Sequence, residues 1–482
     1  MRKAETSLRK IAKVADWIIW GSILGCAAIL LHYAYYYSWT HQRSFLSPVG
    51  PMLYYGLPAA VAGLLLVSLR LRPSHRINLS LLLLSLGISL YTAELVLAFF
   101  NSDGDVDLQI ANAKKLGITF DTRSMLEVIR DLQKQQIHAA PSVFPHMLLE
   151  KQGEGTRKSK IIINGTELLP LGGIANRMIV FCRDSETGAY VMYESDEHGF
   201  HNPKGIWNTN RMDIAAVGDS FVEGYCVPFE KNFVALIRKR VPLTLNLGKM
   251  GNGPLIEFAT LKEYLPALKP KVMLWFYFEE NDYFDLEKER QASLLMSYLS
   301  NNFTQRLQHR QAEIDQELVT LIERWSHAEM ASRRREKIIT IFNLSHLRTR
   351  LGLPSGEFAD EQAVDIAREL DVELFGSILL QAQTLVTTWD GTLYFIYLPE
   401  RARYASPEKA NKDRDRVLAL IKTLGLPLID MHSVFQAHRD PVALFPLRKG
   451  THYTEEGNRL IAEEVLRSIA QSSMMSRQES VR

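Results

Sequence analysis

The chain has 482 residues, of which 46% are hydrophobic, and a formal net charge of +2. At roughly 150 residues per domain, this length predicts two or three domains. The near-neutral charge argues against a nucleic-acid partner, which a strongly basic domain would indicate. Three cysteines are too few for a disulfide scaffold or a multi-cysteine metal site, and we expect neither a metal nor a cofactor.

Three long apolar stretches occupy the first hundred residues: Trp17–Tyr36, Met52–Leu69 and Leu79–Phe100. Each is close to the ~20 residues that a helix needs to cross ~30 Å of hydrocarbon. A cleaved signal peptide has an apolar region of only ~7–15 residues, and three such stretches in succession are not typical of a soluble core. The pattern therefore predicts a three-helix transmembrane module over residues 1–100.

Basic residues predict the orientation of these helices. Five precede the first stretch and three separate the second from the third, namely Arg2, Lys3, Arg9, Lys10, Lys13, Arg70, Arg72 and Arg76. Only Arg43 lies between the first two stretches, and residues 101–113 contain no Lys or Arg. The positive-inside rule then places the N-terminus in the cytoplasm and the chain after Phe100 outside. In a bacterium with two membranes, this predicts a multi-pass inner-membrane protein with a periplasmic domain.

Two polar side chains, those of His32 and Glu94, fall within the predicted spans near their outer ends. An ionisable group inside a membrane can mark a functional site. Because both lie near the interface, extension of the side chain towards water is the favoured explanation.

The region from 101 to 210 is predicted to form a stalk or a small α+β subdomain. A helical pattern covers Arg123–Gln136, and strand-like segments follow, the first of them Ile161–Ile163. The segment Ser195–Pro203 is dense in turn-forming residues. It either leads into the next strand or borders an active site.

A serine lies at a strand-to-helix turn. Met212–Val217 has the pattern of a short buried strand, Gly218-Asp219-Ser220 follows at once, and Phe221–Arg240 is helical in pattern. Such a turn exposes the serine hydroxyl, and the N-terminus of a helix favours developing negative charge. The segment is therefore a candidate nucleophile site.

Further candidate site residues follow other predicted strands or precede a helix. Leu243–Leu247 leads into a glycine-rich turn that contains Gly251, and the wholly apolar Val272–Phe278 leads to Asn281. His452 precedes a predicted helix near the C-terminus. In open α/β sheets, ligands bind at the carboxyl ends of the strands, so we expect these residues to converge.

In this order the four segments resemble the SGNH, or GDSL-type, hydrolase superfamily. The resemblance implies a flavodoxin-like, parallel-sheet, three-layer α/β domain over residues 211–472. A helical insertion would interrupt it at about 285–385, and a polar tail would cover residues 473–482.

The resemblance also implies the roles of the site residues. Ser220 would be the nucleophile and His452 the general base. The backbone N–H groups of Ser220 and Gly251 and the side chain of Asn281 would donate to the oxyanion.

Two residues depart from the family pattern. Glu279 stands where the family usually has glycine, and a side chain there is expected to alter the acyl pocket. Lys449 stands where the family usually has aspartate, and lysine cannot accept the imidazole N–H. His452 then either acts without an acid, oriented by a backbone carbonyl, or is oriented by an acid from elsewhere. Asp430 is the candidate, although an aspartate that closes a strand is more often a cap.

Three further features leave alternatives open. The charged segment Leu286–Arg348 is either a solvated helical insertion, which is favoured, or a lid or docking surface. A looser likeness to alginate-type polysaccharide O-acetyltransferases makes Arg401 a substrate contact or a surface charge, and Asp219 is a second substrate-binding candidate. Cys182 and Cys226 form either a disulfide or two buried thiols.

Together these features predict a serine esterase that acts on acyl esters, acetyl esters first, of a cell-envelope glycan or lipid. One alternative is an O-acyltransferase that modifies an exported polysaccharide with the same site. Another is a non-catalytic module for glycan binding or assembly. Three spans exceed what an anchor needs, which by analogy suggests a polytopic acyltransferase as a membrane partner.

Overall fold

The computed structural model describes residues 2–39, 52–100, 117, 120–153, 155–184, 188–351 and 371–479. Arg43, residues 101–113 and the end of the predicted tail at 480–482 lie outside the described residues. The chain divides into two compact units, one of residues 1–108 with 328–368 and the other of 109–327 with 369–482. The domain boundaries expected from the sequence stay predictions.

The helices are, in chain order, α1 Arg2–Trp39, α2 Leu57–Ser68, α3 Pro73–Phe100, α4 Met125–Lys134, α5 Pro145–Leu148, α6 Ser220–Glu223, α7 Phe233–Arg240, α8 Pro254–Tyr264, α9 Asp282–Glu289, α10 Ser293–Met296, α11 Gln311–Phe342, α12 Ser345–Arg350, α13 Val372–Thr387, α14 Ala402–Ala405, α15 Arg414–Thr423, α16 Met431–Gln436 and α17 Glu455–Glu479. The strands are β1 Ala139–Pro141, β2 Leu149–Lys151, β3 Arg157–Ser159, β4 Ile161–Ile163, β5 Thr166–Leu168, β6 Met178–Arg183, β7 Tyr190–Glu194, β8 Ile214–Val217, β9 Thr244–Asn246, β10 Val272–Phe278, β11 Thr392–Leu398 and β12 Leu428–Asp430.

Two helices of the N-terminal unit are long and apolar enough to cross a membrane: α1 over Arg9–Tyr35 and α3 over Pro73–Ala98. Many of their large apolar side chains are exposed, including Trp17, Leu31 and Leu82. A helix of a soluble core would bury such side chains. The two helices therefore fit a membrane anchor.

The predicted third span was not confirmed. Its α-helical part, α2, has only 12 residues and follows a π-helical turn at Met52–Gly56. Twelve residues rise ~18 Å, which is short of the ~30 Å hydrocarbon layer. Among the described residues, the anchor thus has two helices of spanning length, with α2 packed against α1.

Glu94 on α3 holds a helix of the insertion in the same unit. Its carboxylate is fully buried and accepts hydrogen bonds from the backbone N–H groups of His346 and Leu347 and from the His346 ring. These N–H groups lie in the first turn of α12, where a helix needs acceptors. Glu94 therefore acts as a helix cap. It does not extend towards water, which was the explanation that the sequence favoured.

The second unit contains a five-stranded parallel sheet in the order β12-β11-β10-β8-β9. When these five strands are numbered from 1 to 5 along the chain, their order from the β9 edge is 2-1-3-4-5. This is the order of doubly wound sheets of flavodoxin type. The predicted α/β class with a parallel sheet is confirmed.

Helices cover both faces of this sheet, which explains why β10 is apolar throughout. Its side chains alternate between two cores: Trp275 and Tyr277 pack on one face, and Phe276 and Phe278 on the other. Helices α8 and α13 contribute to the first core, and α7, α16 and α17 to the second. A strand that is buried on both faces needs no polar alternation.

A smaller set of strands precedes the main sheet. It comprises the three-stranded sheet β1-β6-β7 and the hairpins β2–β3 and β4–β5. Its side chains Leu168, Phe181 and Tyr193 join the core that contains Trp275. This part of the region expected to be a stalk or a small α+β subdomain thus packs against the core that contains the main sheet.

Candidate active site

The turn that contains Ser220 follows β8 directly. Asp219 caps α6 by accepting a hydrogen bond of 2.9 Å from the backbone N–H of Phe221, and Ser220 is the first residue of that helix. The helix has only four residues because Gly224 takes a left-handed conformation, with φ of +89°. Ser220 is therefore held at the carboxyl edge of the sheet, as its place after a buried strand predicts.

The structure brings Ser220 and His452 together although 232 positions separate them in the chain. The distance from Ser220 Oγ to His452 Nε2 is 2.8 Å. The serine hydroxyl donates this bond when the imidazole is neutral and Nδ1 carries the ring proton. The pair then has the geometry of a nucleophile beside its general base.

The other ring nitrogen of His452 meets a hydroxyl. Nδ1 lies 3.2 Å from Oγ1 of Thr451, which accepts its hydrogen, and Lys449 is exposed. Within the described part of the chain, no carboxylate is in hydrogen-bond contact with His452. Burial lowers the pKa of His452 to about 4, so the ring is neutral and able to accept a proton at neutral pH.

Asp430, the candidate orienting acid, lies elsewhere. Its carboxylate caps α16 by accepting from the backbone N–H of His432 at 3.0 Å, and it pairs with Arg414. The structure does not bring it into contact with His452. The ordinary role of an aspartate at the end of a strand is the one that the structure supports.

The two residues expected to bind the oxyanion with Ser220 follow β9 and β10. Gly251 has φ of +69°, a left-handed conformation that suits glycine. The Asn281 side-chain amide donates to Asp219 at 3.3 Å and to Asp285 at 3.0 Å. One of these bonds has to open before the amide can donate to an oxyanion.

Asp219, the candidate substrate contact, is buried beside the nucleophile. Its Oδ2 lies 3.5 Å from Ser220 Oγ and accepts from Asn281. Burial raises the pKa of Asp219 to about 7. Its carboxyl is engaged inside the protein, so its role in substrate binding stays a prediction.

A buried ion pair that the sequence did not predict holds the glycine-rich turn. Lys249 Nζ lies 2.7 Å from Glu223, and both side chains are almost fully buried. Glu223 also accepts from the backbone N–H of Met250 at 2.7 Å and from the Tyr193 hydroxyl at 2.8 Å. Since Met250 precedes Gly251, the pair ties α6 to the turn that presents the predicted oxyanion donor. The sequence does contain a sign of this pair, because Glu223 and Lys249 are charged residues in segments whose other residues have a buried pattern.

Glu279 takes part in a network at the ends of β10 and β11. Its carboxylate pairs with Arg403, with the Nε–Oε1 distance at 2.7 Å, and accepts from the Tyr397 hydroxyl and the Glu400 backbone N–H. The buried charge is therefore compensated. Arg401, the other candidate substrate contact, is partly buried. Burial raises the pKa of Glu280, and the charge of Arg401 opposes part of this rise.

Cys182 and Cys226 are joined in a disulfide with a Cα–Cα distance of 5.6 Å. The bond connects β6 to the residues just after α6. The turn-rich segment from Ser195 is also tied to this helix, because His201 Nδ1 donates to the Glu223 carbonyl at 2.6 Å. Among the described residues, no group of three or more His, Cys, Asp or Glu side chains suits a metal ion.

No protein-family model and no curated protein matches the chain. Several solved structures are similar to part of the chain. A member of the lipolytic protein G-D-S-L family from Veillonella parvula is 14% identical, with a TM-score of 0.29, over 53% of this chain and 97% of that one. An acetyl xylan esterase is 11% identical, with a TM-score of 0.31, over 53% and 99%. The lipase/acylhydrolase from Enterococcus faecalis is 12% identical, with a TM-score of 0.30, over 54% and 95%. Each likeness extends over about half of this chain and nearly all of the solved one.

Proposed function

We propose that the protein is a membrane-anchored serine esterase that cleaves acyl esters, acetyl esters first, of a cell-envelope glycan or lipid. The observation that carries the proposal is the 2.8 Å contact between Ser220 Oγ and His452 Nε2 at the carboxyl edge of the parallel sheet. The position of this contact agrees with the rule that such sheets bind ligands at the carboxyl ends of their strands.

The reaction takes place in two steps. Ser220 Oγ attacks the ester carbonyl carbon while its proton passes to His452 Nε2, and the carbonyl oxygen becomes an oxyanion. The Gly251 and Ser220 N–H groups and the Asn281 amide stabilise that charge. The intermediate collapses, the C–O bond to the alcohol breaks, and His452 returns the proton to the leaving alcohol. Water then repeats the sequence on the acyl-enzyme and releases the acid.

Two features support a location outside the cytoplasm. The basic residues cluster in the first turns of α1, before its apolar part, and between the second and third apolar stretches. The Cys182–Cys226 disulfide suits an oxidising compartment. We propose a cytoplasmic N-terminus, three passages through the inner membrane and a periplasmic catalytic domain. The passage between α1 and α3 would use the 5 residues of the π-helical turn at Met52–Gly56 together with the 12 residues of α2, because two passages alone would return the chain to the cytoplasm.

Labelling of the full-length protein in detergent with a fluorophosphonate tests the nucleophile. We expect mass spectrometry to find the probe on Ser220, and Ser220→Ala to lose both labelling and the hydrolysis of p-nitrophenyl acetate. Ser293→Ala, which removes an exposed hydroxyl from α10, is the matched control and should behave as the wild type. Hydrolysis that persists in Ser220→Ala would reject Ser220 as the nucleophile, and a wild type that neither reacts with the probe nor hydrolyses the ester would leave the non-catalytic alternative.

The acceptor of the acyl group separates hydrolysis from transfer, because both reactions pass through the same acyl-enzyme. Adding an unacetylated polysaccharide to the p-nitrophenyl acetate assay decides between them. Free acetate as the main product supports the esterase, whereas acetylated glycan that forms faster than free acetate would make the protein an O-acyltransferase.

A further inference from the structure

Two aromatic rings stack on the imidazole of His452. The ring of Tyr225 lies 4.3 Å from it between centroids, at 27° between planes, and that of Phe221 lies 4.7 Å from it at 26°. Phe221 and Tyr225 are called the aromatic pair below. Thr451 contacts only the edge of the imidazole, at Nδ1. The aromatic pair therefore makes the ring-plane contacts that resist tilting of the base.

The aromatic pair belongs to the same turn as the nucleophile. Phe221 directly follows Ser220, and the backbone N–H of Tyr225 donates to the Ser220 carbonyl at 2.9 Å. Both rings thus have a fixed relation to Ser220. A base that packs against them is positioned relative to the serine hydroxyl by a single short piece of backbone.

Strand β6 holds this turn by two contacts. Cys182 forms the disulfide with Cys226, the residue after Tyr225, and the edge of the Phe181 ring meets Tyr225 at 5.5 Å and 76°. Cys226 has φ of +54°, which is uncommon for a residue other than glycine. The cross-link and the ring contact keep Tyr225 in place although its neighbour has this unusual conformation.

We propose that the aromatic pair, held by the Cys182–Cys226 disulfide, positions His452 for proton transfer from Ser220, in place of the carboxylate that orients such a base in the related family. The inference rests on the proposed function. Phe221 and Tyr225 are positioning residues and do not touch the reacting ester.

Burial lowers the pKa of His452 to about 4, and the aromatic pair contributes to that burial because both rings stack on the imidazole. Removing one ring admits water, which stabilises the imidazolium and raises the pKa towards the ordinary value of about 6.5. The base is active when neutral, so the acid limb of the pH profile should then move to higher pH.

The test compares Tyr225→Leu with Tyr225→Phe in the full-length protein, with p-nitrophenyl acetate as substrate across pH. We expect Tyr225→Leu to lower kcat/KM by about tenfold to a hundredfold, as misplaced catalytic groups do. Its acid limb should move upward from about 4. Tyr225→Phe keeps the ring and should retain both the rate and the acid limb of the wild type.

Tyr190→Leu is the matched control. Tyr190 lies on β7 with its ring near the Arg183 guanidinium, at 5.8 Å, so its loss should leave the pH profile unchanged. Reduction of the wild type tests the disulfide, since Cys26 is the only other cysteine in the chain. We expect reduction to lower kcat/KM and to move the acid limb in the same direction as Tyr225→Leu.

Each outcome has a separate meaning. A wild type that neither hydrolyses the ester nor reacts with a fluorophosphonate overturns the proposed function. An active wild type with an unchanged rate and acid limb in Tyr225→Leu overturns only the role of the aromatic pair, and so does an equal loss in Tyr225→Phe. If Tyr225→Leu does not fold by thermal unfolding, reduction of the wild type decides, and an unchanged acid limb after reduction rejects the proposal.

Discussion

The two halves of the candidate site are held in different ways. The nucleophile half lies on the ends of β8 and β9 and is fixed by the buried Lys249–Glu223 pair and its hydrogen bonds. The base half lies on a loop before α17, where His452 has an exposed threonine at one edge and aromatic rings against its face. The proposed oxyanion donors thus depend on buried polar contacts, whereas the base depends on apolar packing. We therefore expect changes around His452 to lower mainly the catalytic rate, and changes in the Lys249–Glu223 pair to lower mainly the stability of the fold.

The largest expected effect is on catalysis, from His452→Gln. Loss of the base should lower kcat/KM by about 10⁴-fold or more, as the loss of a member of a catalytic unit does. The temperature of unfolding should stay close to that of the wild type, because the nucleophile half keeps its network. The measurement is ester hydrolysis beside thermal unfolding. A variant that loses stability but keeps its rate would contradict the division between the halves.

Lys249→Met should mainly affect stability. It leaves the buried Glu223 carboxylate without its cation, which costs about 3–5 kcal/mol of the free energy of unfolding. Denaturant unfolding measures the loss. Lys271→Met is the control, because its ion pair with Asp213, at 3.0 Å, is exposed and should be worth less than about 1 kcal/mol. An equal loss of the free energy of unfolding in both variants would show that the buried Lys249–Glu223 pair stabilises the fold no more than an exposed pair does.

Lys449→Asp should supply to the base half the acid that the SGNH hydrolases, which the four sequence segments resemble, usually carry at this position. A carboxylate beside the imidazole favours its protonated form, so the pKa of His452 should rise above about 4, by about one unit or more. The acid limb of the kcat/KM profile would then move to higher pH. Lys449→Ala, which adds no negative charge, should leave the limb in place. No difference between the two variants would place residue 449 too far from the base to act.

The smallest effect is expected from Thr451→Val. The hydroxyl accepts one hydrogen bond from His452, but the residue is exposed, so water can replace it as an acceptor. We expect kcat/KM to fall by less than about tenfold, well below the loss of general-base catalysis. A loss comparable to that of His452→Gln would mean that Thr451, and not the aromatic pair, positions the base.

Much of the site was predictable because its residues mark the ends of secondary-structure elements. Ser220 follows a buried strand and starts a helix, and Gly251 and Asn281 follow the next two strands of the sheet. Such positions depend on local apolar runs and turn residues, which the sequence displays directly. The third membrane span was not confirmed, because the apolar run at Met52–Leu69 yields an α-helix of only 12 residues after a π-helical turn.

The partners of the charged residues were not predictable. Glu279 pairs with Arg403, and Asp430 pairs with Arg414. Glu94 accepts from two backbone N–H groups that lie 252 and 253 positions later in the chain. Each of these carboxylates has several cations or N–H groups within the chain to choose from. Only the packing of distant segments decides which one lies within hydrogen-bond distance.

The sequence alone determined the α/β class, the parallel strands and the turn that presents Ser220, because these follow from periodicity and from glycine and aspartate at fixed offsets. The tertiary structure decided how the base is held. Tyr225 and Cys182 are far from His452 in the chain, and their contacts arise only when β6, α6 and the loop before α17 pack together. Stacking and cross-linking are contacts between side chains distant in sequence, and local pattern carries no information about them.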